Sequence, residues 1–75
     1  MRYEVEKTMV AEAAAAFPAE FTLRRFRGDG TRCRVSISDS YVSDGQVFLY
    51  VAIFADGKWQ CFAKGTPQEL TQEVV

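Results

Sequence analysis

The chain has 75 residues, of which 48% are hydrophobic and 25% are charged, and its formal net charge is −1. This length supports one domain over residues 1–75, and the apolar fraction is typical of a folded protein. The sequence contains no histidine, which excludes histidine-based catalytic triads and histidine-ligated metal sites, and the near-zero net charge gives no overall attraction to nucleic acid or membranes.

Two stretches of sequence bear on the location of the protein. Acidic residues occur among the first nine positions, where a secretion signal needs an apolar stretch. The longest uninterrupted apolar run, residues 47–55, has nine residues, whereas a membrane-spanning helix needs about 20. We therefore expect a cytoplasmic protein that does not associate with membranes.

A helix is predicted near the start of the chain. Residues 6–16 are rich in alanine, glutamate, lysine and methionine, which favour helices. Apolar side chains recur at helical spacing at Val5, Met9, Val10, Ala13 and Phe17. Pro18 ends this helix at Ala16 or Phe17. The start has two interpretations, since residues 2–6 also alternate like a short strand, and Thr8 would then cap a shorter helix.

Three Asp-Gly pairs divide the rest of the chain into alternating segments, at Asp29-Gly30, Asp44-Gly45 and Asp56-Gly57. This pair is the strongest short signal for a β-hairpin, because both residues adopt positive φ in a tight turn. Strands are predicted at residues 20–27, 31–42, 46–55 and 58–64. Consecutive hairpins give a four-stranded antiparallel meander. The predicted fold class is therefore α+β, with an N-terminal helix, this meander and a short C-terminal helix.

The register of the strands predicts one shared face. Two-residue loops at the second and third Asp-Gly pairs place ten residues on it, because directly opposed residues share a face. These residues are Val35, Ile37, Tyr41, Phe48, Tyr50, Ala52, Phe54, Trp59, Cys61 and Ala63. In the first hairpin, a three-residue loop at 28–30 pairs Leu23 with Val35 and Phe21 with Ile37, which buries apolar residues together.

The C-terminal helix has a clear start signal. Thr66-Pro67-Gln68-Glu69 is a capping box with proline at the first helical position. Leu70 and Val74 follow at helical spacing, and the helix is predicted to run to about Glu73. A helix this short is unstable alone, so we expect it to dock on the sheet or on a partner.

The other face of the third predicted strand is apolar as well. The residues concerned are Val47, Leu49, Val51 and Ile53, with Phe62 beside them on the fourth predicted strand. Two interpretations stay open at this point. Either the chain's own helices cover these residues as core, or they form a self-interface in a homodimer.

Arginines concentrate in the first predicted hairpin, and with one phenylalanine they form the predicted partner-binding site: Arg24, Arg25, Arg27, Arg32, Arg34 and Phe26. The register places Arg24 opposite Arg34, and like charges opposed across a strand pair destabilise it. Nucleic-acid phosphates, an acidic protein surface or internal acidic residues would compensate. Alternatively, the charges protect an edge strand from pairing with other sheets.

The two cysteines and Asp39 give weaker signals of function. Cys33 and Cys61 lie on strands separated by a third one, so about 9–10 Å apart, whereas disulfide Cα atoms need about 7 Å or less. We expect two free, mostly buried thiols. Asp39 is predicted on the aromatic face beside Tyr50. No cluster in the sequence predicts a catalytic residue, a metal site or a cofactor site, so we expect a protein that is not an enzyme.

The order of elements resembles the double-stranded-RNA-binding domain in layout. That family has a lysine-rich start to its last helix, whereas this chain has Thr66-Pro67-Gln68-Glu69, so the phosphate clamp is missing and we do not assign the chain to it. In size and lack of catalytic groups the chain resembles small inhibitor proteins of phages and mobile elements, including anti-CRISPR proteins. That resemblance of class implies a non-enzymatic protein-binding module that occludes a partner's site. The alternatives are nucleic-acid binding through the arginines and a structural homodimer.

Overall fold

The structure is a computed structural model that describes residues 2–29 and 31–75, apart from the side chains of Arg27 and Asp29. Its helices are α1 (Arg2–Ala15), a 3-10 helix (Arg24–Asp29) and α2 (Pro67–Glu73), and its strands are β1 (Cys33–Ser43), β2 (Gln46–Ala55) and β3 (Lys58–Gly65). The strands form one antiparallel sheet in the order β1-β2-β3. The predicted α+β class, N-terminal helix, antiparallel sheet and short C-terminal helix are confirmed, but the sheet has three strands rather than four.

Helix α1 begins at Arg2, so the interpretation of residues 2–6 as a strand is wrong, and Thr8 lies inside the helix. A salt bridge from Arg2 to Glu6, with 3.2 Å between the atoms, spans one helical turn and favours the helical start. The helix ends at Ala15, just before Pro18. Among its side chains Val10 and Ala14 are buried, whereas the earlier apolar position in the predicted stripe, Val5, is 57% exposed.

The turns after β1 and β2 confirm the predicted Asp-Gly hairpins. Asp44 and Asp56 have φ values of 52° and 55°, and Gly45 and Gly57 both have a φ of 76°. Two successive residues with positive φ match the right-handed twist of the strands that they join. The capping box of α2 is present as well, with Thr66 and Glu69 each accepting a backbone N–H of the other.

The β2–β3 register follows the prediction only near the turn. Phe54 pairs with Trp59, and Ala52 pairs with Cys61, as expected. The register then shifts, so that Val51 rather than Tyr50 pairs with Ala63. The extra residue on β3 is Phe62. This bulge turns Ala63 toward the core and Lys64 toward the opposite side, because an odd insertion exchanges the faces.

A larger irregularity interrupts β1. Tyr41 pairs with Phe48 as predicted, but the next pair is Ser36 with Tyr50, so residues 37–40 lie opposite Leu49 alone. One hydroxyl group takes the place of the missing hydrogen bonds between the strands. The Ser40 Oγ donates to the carbonyl of Ser36 at 2.7 Å and accepts the Tyr50 N–H at 2.9 Å. We call residues 37–40 the β1 insertion.

The β1 insertion makes three predicted pairs wrong, namely Asp39 with Tyr50, Ile37 with Ala52, and Val35 with Phe54. The observed pairs place Val35 opposite Val51 and Arg34 opposite Ala52. Because three extra residues are an odd number, every side chain before the insertion changes faces relative to the prediction. Val35 therefore packs against the core, and Arg34 lies on the other side of the sheet.

The predicted first strand, residues 20–27, is also wrong. Phe21 makes an isolated bridge with Cys33, and Leu23 makes one with Val74, so the predicted pairs of Phe21 with Ile37 and of Leu23 with Val35 do not form. Leu23 pairs with Val74 and not with Val35 because its side chain is completely buried in the core in this position. The following residues turn into the 3-10 helix. The predicted loop at 28–30 includes Gly30, which lies outside the described residues.

The core occupies one side of the sheet. Its buried residues come from all the elements that contact that side: Val10, Phe21, Leu23, Cys33, Leu49, Val51, Ala63 and Leu70. Helix α1 packs on β1 and β2, and α2 packs on β2 and β3. Within residues 2–29 and 31–75, no helix is both long and apolar enough to cross a membrane.

Replacement of a core side chain tests the assignment of the core through the free energy of unfolding. We expect Leu49→Ala to lower the free energy of unfolding by about 2–5 kcal/mol, because it leaves a cavity at a fully buried position. Ile37→Ala in the β1 insertion is the control; its side chain is 50% exposed, so the expected loss is below about 1 kcal/mol. Urea unfolding followed by circular dichroism gives both values. Equal losses would contradict the assignment of the core.

Candidate binding surface

The side of the sheet opposite the core has no helix packed on it in the described part of the chain. Strand alternation and the observed register place these residues there: Arg32, Arg34, Ser36, Tyr41, Phe48, Tyr50, Ala52, Phe54, Trp59, Cys61 and Lys64. We call this surface the open face. Tyr41 and Phe54 are 38% and 37% exposed, so these two aromatic side chains are partly accessible to solvent.

One end of the open face joins two arginines to two aromatic rings. The Arg34 guanidinium lies 4.2 Å from the centroid of the Trp59 ring, and that of Arg32 lies 5.0 Å from the centroid of Phe54. The two rings contact each other edge to face at 5.4 Å. Glu20 accepts two hydrogen bonds from Arg32, at 2.8 and 2.7 Å. This contact lowers the pKa of Glu20 and raises the pKa of Arg32, so both stay charged.

The other end of the open face joins a lysine to three aromatic rings. Tyr41 stacks on Phe48 with 5.4 Å between ring centroids. The Lys64 ammonium donates to the Tyr41 hydroxyl at 3.1 Å and lies 5.6 and 5.7 Å from the ring centroids of Tyr41 and Tyr50. The hydrogen bond to Tyr41 raises the pKa of Lys64. The ammonium is therefore charged at neutral pH and held at the surface by the rings.

A shallow cleft of about 380 Å³ lies between Trp59 and the β1 insertion. Within it the Asp39 carboxylate accepts hydrogen bonds from the Ser36 hydroxyl at 2.6 Å and from the Cys61 thiol at 3.0 Å. These donors lower the pKa of Asp39, chiefly the thiol. The same contact, with burial, raises the pKa of Cys61. Cys61 is therefore a protonated thiol at neutral pH, which makes it a poor nucleophile.

The two cysteines lie on different sides of the sheet. Cys33 is buried in the core, where burial raises its pKa, and Cys61 is exposed; both thiols are free. The expectation that both are mostly buried is thus wrong for Cys61, because its pairing with Ala52 places it on the open face. Asp39 and Cys61 belong to the residue types that can bind metal ions. Among the residues that the structure describes, no group of three or more cysteine, aspartate or glutamate residues lies close enough to hold one.

The structure divides the predicted partner-binding arginines into two groups. Arg24 and Arg25 lie beside α2: Arg24 donates to the Gln72 carbonyl at 3.4 Å, and Arg25 makes a bidentate contact with Glu73 at 3.0 and 2.8 Å. The Glu73 hydrogen bond raises the pKa of Arg25 and the same contact lowers the pKa of Glu73. The expected opposition of Arg24 and Arg34 does not occur.

The remaining members of the predicted cluster are also separated. Arg32 and Arg34 lie on the open face. Phe26 is half-buried and packs edge to face on Phe62, with 5.2 Å between centroids. The side chain of Arg27 lies outside the described residues. Of the compensations expected from the sequence, internal acidic partners occur at Arg25 and Arg32.

The residues considered for a self-interface are mostly core. Leu49 and Val51 are completely buried, and Val47 and Ile53 are half-buried, whereas Phe62 is 61% exposed. This burial agrees with the interpretation that the chain's own helices cover these residues as core. The aromatic residues predicted on one face do share a face, and it is this face that the helices leave uncovered.

The Asp39–Cys61 contact gives a pH-dependent prediction. A thiolate at Cys61 would lie beside a carboxylate, so we expect Asp39→Asn to lower the pKa of Cys61 and shift its reaction with iodoacetamide to lower pH. The ordinary cysteine pKa is about 8.5, and the wild-type profile should lie above that of the variant. Mass spectrometry of the Cys61 peptide measures the rate. Asp44→Asn, the same change in the turn between β1 and β2, should leave the pH profile of Cys61 unaltered. Identical profiles for all three proteins would contradict the Asp39–Cys61 contact.

Comparison with known proteins adds no family to this description. The chain matches no protein-family model, none of the curated proteins and none of the solved structures with which it was compared.

Proposed function

We propose that the protein is a non-enzymatic protein-binding module and that the open face is its binding surface. The observation that supports this proposal is an uncovered sheet face on which Trp59, two tyrosines and two arginines lie together. Tryptophan, tyrosine and arginine contribute most of the binding free energy at protein interfaces. The same composition is enriched there relative to the rest of a protein surface.

The side chains of the open face are already held in place. Arg34 and Trp59 are stacked, Arg32 is fixed by Glu20, and Lys64 is bonded to Tyr41. Binding to such a surface loses less side-chain entropy than binding to mobile side chains does. A small inhibitor of the phage or mobile-element type would use this surface to cover a functional site of its partner in the cytoplasm. This mode of action is part of the proposal.

Single-stranded nucleic acid is the second candidate, because aromatic rings with cations beside them also suit stacked bases. Two observations favour a protein. The net charge of the chain is −1, and the carboxylates of Asp39 and Glu20 lie on or beside the open face. Phosphate-binding surfaces need an excess of positive charge, whereas protein interfaces accommodate both signs.

Photo-cross-linking in cells tests the proposal. Benzoylphenylalanine in place of Tyr41, on the open face, should give adducts with another protein, because the reactive group then lies in the contact. The same group in place of Glu12, on the exposed side of α1, is the control and should give few adducts. Nuclease and protease treatment before electrophoresis identifies what is attached.

Several outcomes would contradict the proposal. Adducts that nuclease removes would favour the second candidate, and adducts between two copies of the chain would favour a homodimer. Equal adducts from positions 41 and 12 would show that the open face is not a preferred contact. Absence of adducts at position 41 would count against binding through this face.

A further inference from the structure

Two cations on the open face form no salt bridge with the side chains that the structure describes. The salt bridges among these side chains are Arg2 with Glu6, Arg25 with Glu73, and Arg32 with Glu20. Arg34 and Lys64 take part in none of them, although the charge of Arg34 helps to lower the pKa of Glu20, the partner of Arg32. Both instead lie over aromatic rings.

The aromatic contacts leave the hydrogen-bonding groups of these cations available. A guanidinium stacked on a ring uses its face, so the N–H groups at its edge remain free for a bidentate contact with a carboxylate. The guanidinium carbon of Arg34 lies over the Trp59 ring, 4.2 Å from its centroid, and the Arg34 side chain is exposed. An ammonium has three donors, and Lys64 uses one of them on Tyr41.

The register sets the distance between the two cations. Arg34 lies opposite Ala52 and Lys64 lies opposite Tyr50, on the two strands that flank β2. Two strand spacings and two residues along a strand correspond to a Cα separation of about 12 Å. In an extended peptide, side chains four positions apart are separated by about 13 Å on the same side.

A negative charge lies between them. The Asp39 carboxylate accepts hydrogen bonds from Ser36, which pairs with Tyr50, and from Cys61, which pairs with Ala52. The open face therefore presents positive charge at two ends and negative charge in the middle. A nucleic acid strand carries a phosphate on every nucleotide and would place one near Asp39, whereas a peptide carries acidic groups only at chosen positions.

We infer that the open face recognises an acidic segment of a partner protein, with carboxylates at Arg34 and Lys64 and an uncharged hydrogen-bond donor opposite Asp39. This inference rests on the proposed protein-binding function. A three-stranded sheet is about 10 Å across, which suits one extended or helical segment rather than a large globular surface. Because Arg34 and Lys64 form no salt bridge among the described side chains, charge complementarity favours carboxylates in the segment at these two positions.

Selection from a randomised library of displayed twelve-residue peptides tests the inference. Peptides retained by the wild-type protein should be enriched in aspartate and glutamate. Those retained by the double variant Arg34→Glu with Lys64→Glu should be enriched in lysine and arginine. The matched control is Arg24→Glu with Lys7→Glu, on the 3-10 helix and α1, and its peptides should resemble those of the wild type. If the double variant does not fold, Arg34→Gln with Lys64→Gln replaces it and should lose the acidic enrichment.

Binding of a synthesised selected peptide is then measured by fluorescence. Trp59 is the single tryptophan of the chain, so its emission reports contacts at the open face. We expect an acidic peptide to change this emission and to bind the double variant at least about tenfold more weakly, a loss that one charge pair can cause. An oligodeoxythymidine is titrated in parallel.

The outcomes separate the two proposals. Uncharged peptides that change Trp59 emission would overturn the acidic segment and leave protein binding in place. An oligodeoxythymidine that changes this emission, with no peptide that does so, would overturn both. Acidic enrichment that persists in the double variant would show that the acidic peptides bind elsewhere, which also overturns the inference. Failure of every ligand to change the emission would do the same.

Discussion

The β1 insertion determines which side chains the sheet buries and which it presents. Residues 37–40 lie opposite Leu49 alone, so the strand changes faces within its own length. Val35 consequently reaches the core, and Arg34 reaches Trp59. Without the insertion, the alternation of β1 would place an arginine against the core, where an unpaired charge is strongly unfavourable. The composition of both faces depends on this local irregularity.

The two sides of the sheet differ in composition and in exposure to solvent. The core side is packed with apolar residues, Phe21 among them, and no polar or charged residue is buried in the described part of the chain. The open face instead keeps aromatic rings in contact with cations, and these contacts reduce the apolar surface that water meets. The side chains of this face thus cover part of one another's apolar surface, although no helix lies over them in the described part of the chain.

Local signals in the sequence predicted local structure well. The two Asp-Gly turns, the capping box at Thr66 and the end of α1 before Pro18 depend on neighbouring residues alone, and the structure confirms them. Errors arose where a distant contact decides the conformation. The pairing of Leu23 with Val74 has no signal in either segment, and it replaced the predicted first strand. The aromatic residues of the open face follow from the two Asp-Gly turns, whereas Arg34 and Lys64 reach this face only through the β1 insertion and the bulge at Phe62, which have no signal in the sequence.

The contact between Leu23 and Val74 has a consequence for the order of folding. It joins a residue that precedes β1 to one that follows α2, and the Val75 N–H donates to the Thr22 carbonyl at 3.0 Å beside it. Hairpins such as β2–β3 connect neighbouring residues and form early, whereas contacts between distant residues close a long loop and form slowly. During synthesis on the ribosome, the bridge between Leu23 and Val74 therefore cannot form until Val74 has left the exit tunnel. The core is completed only after translation of this residue.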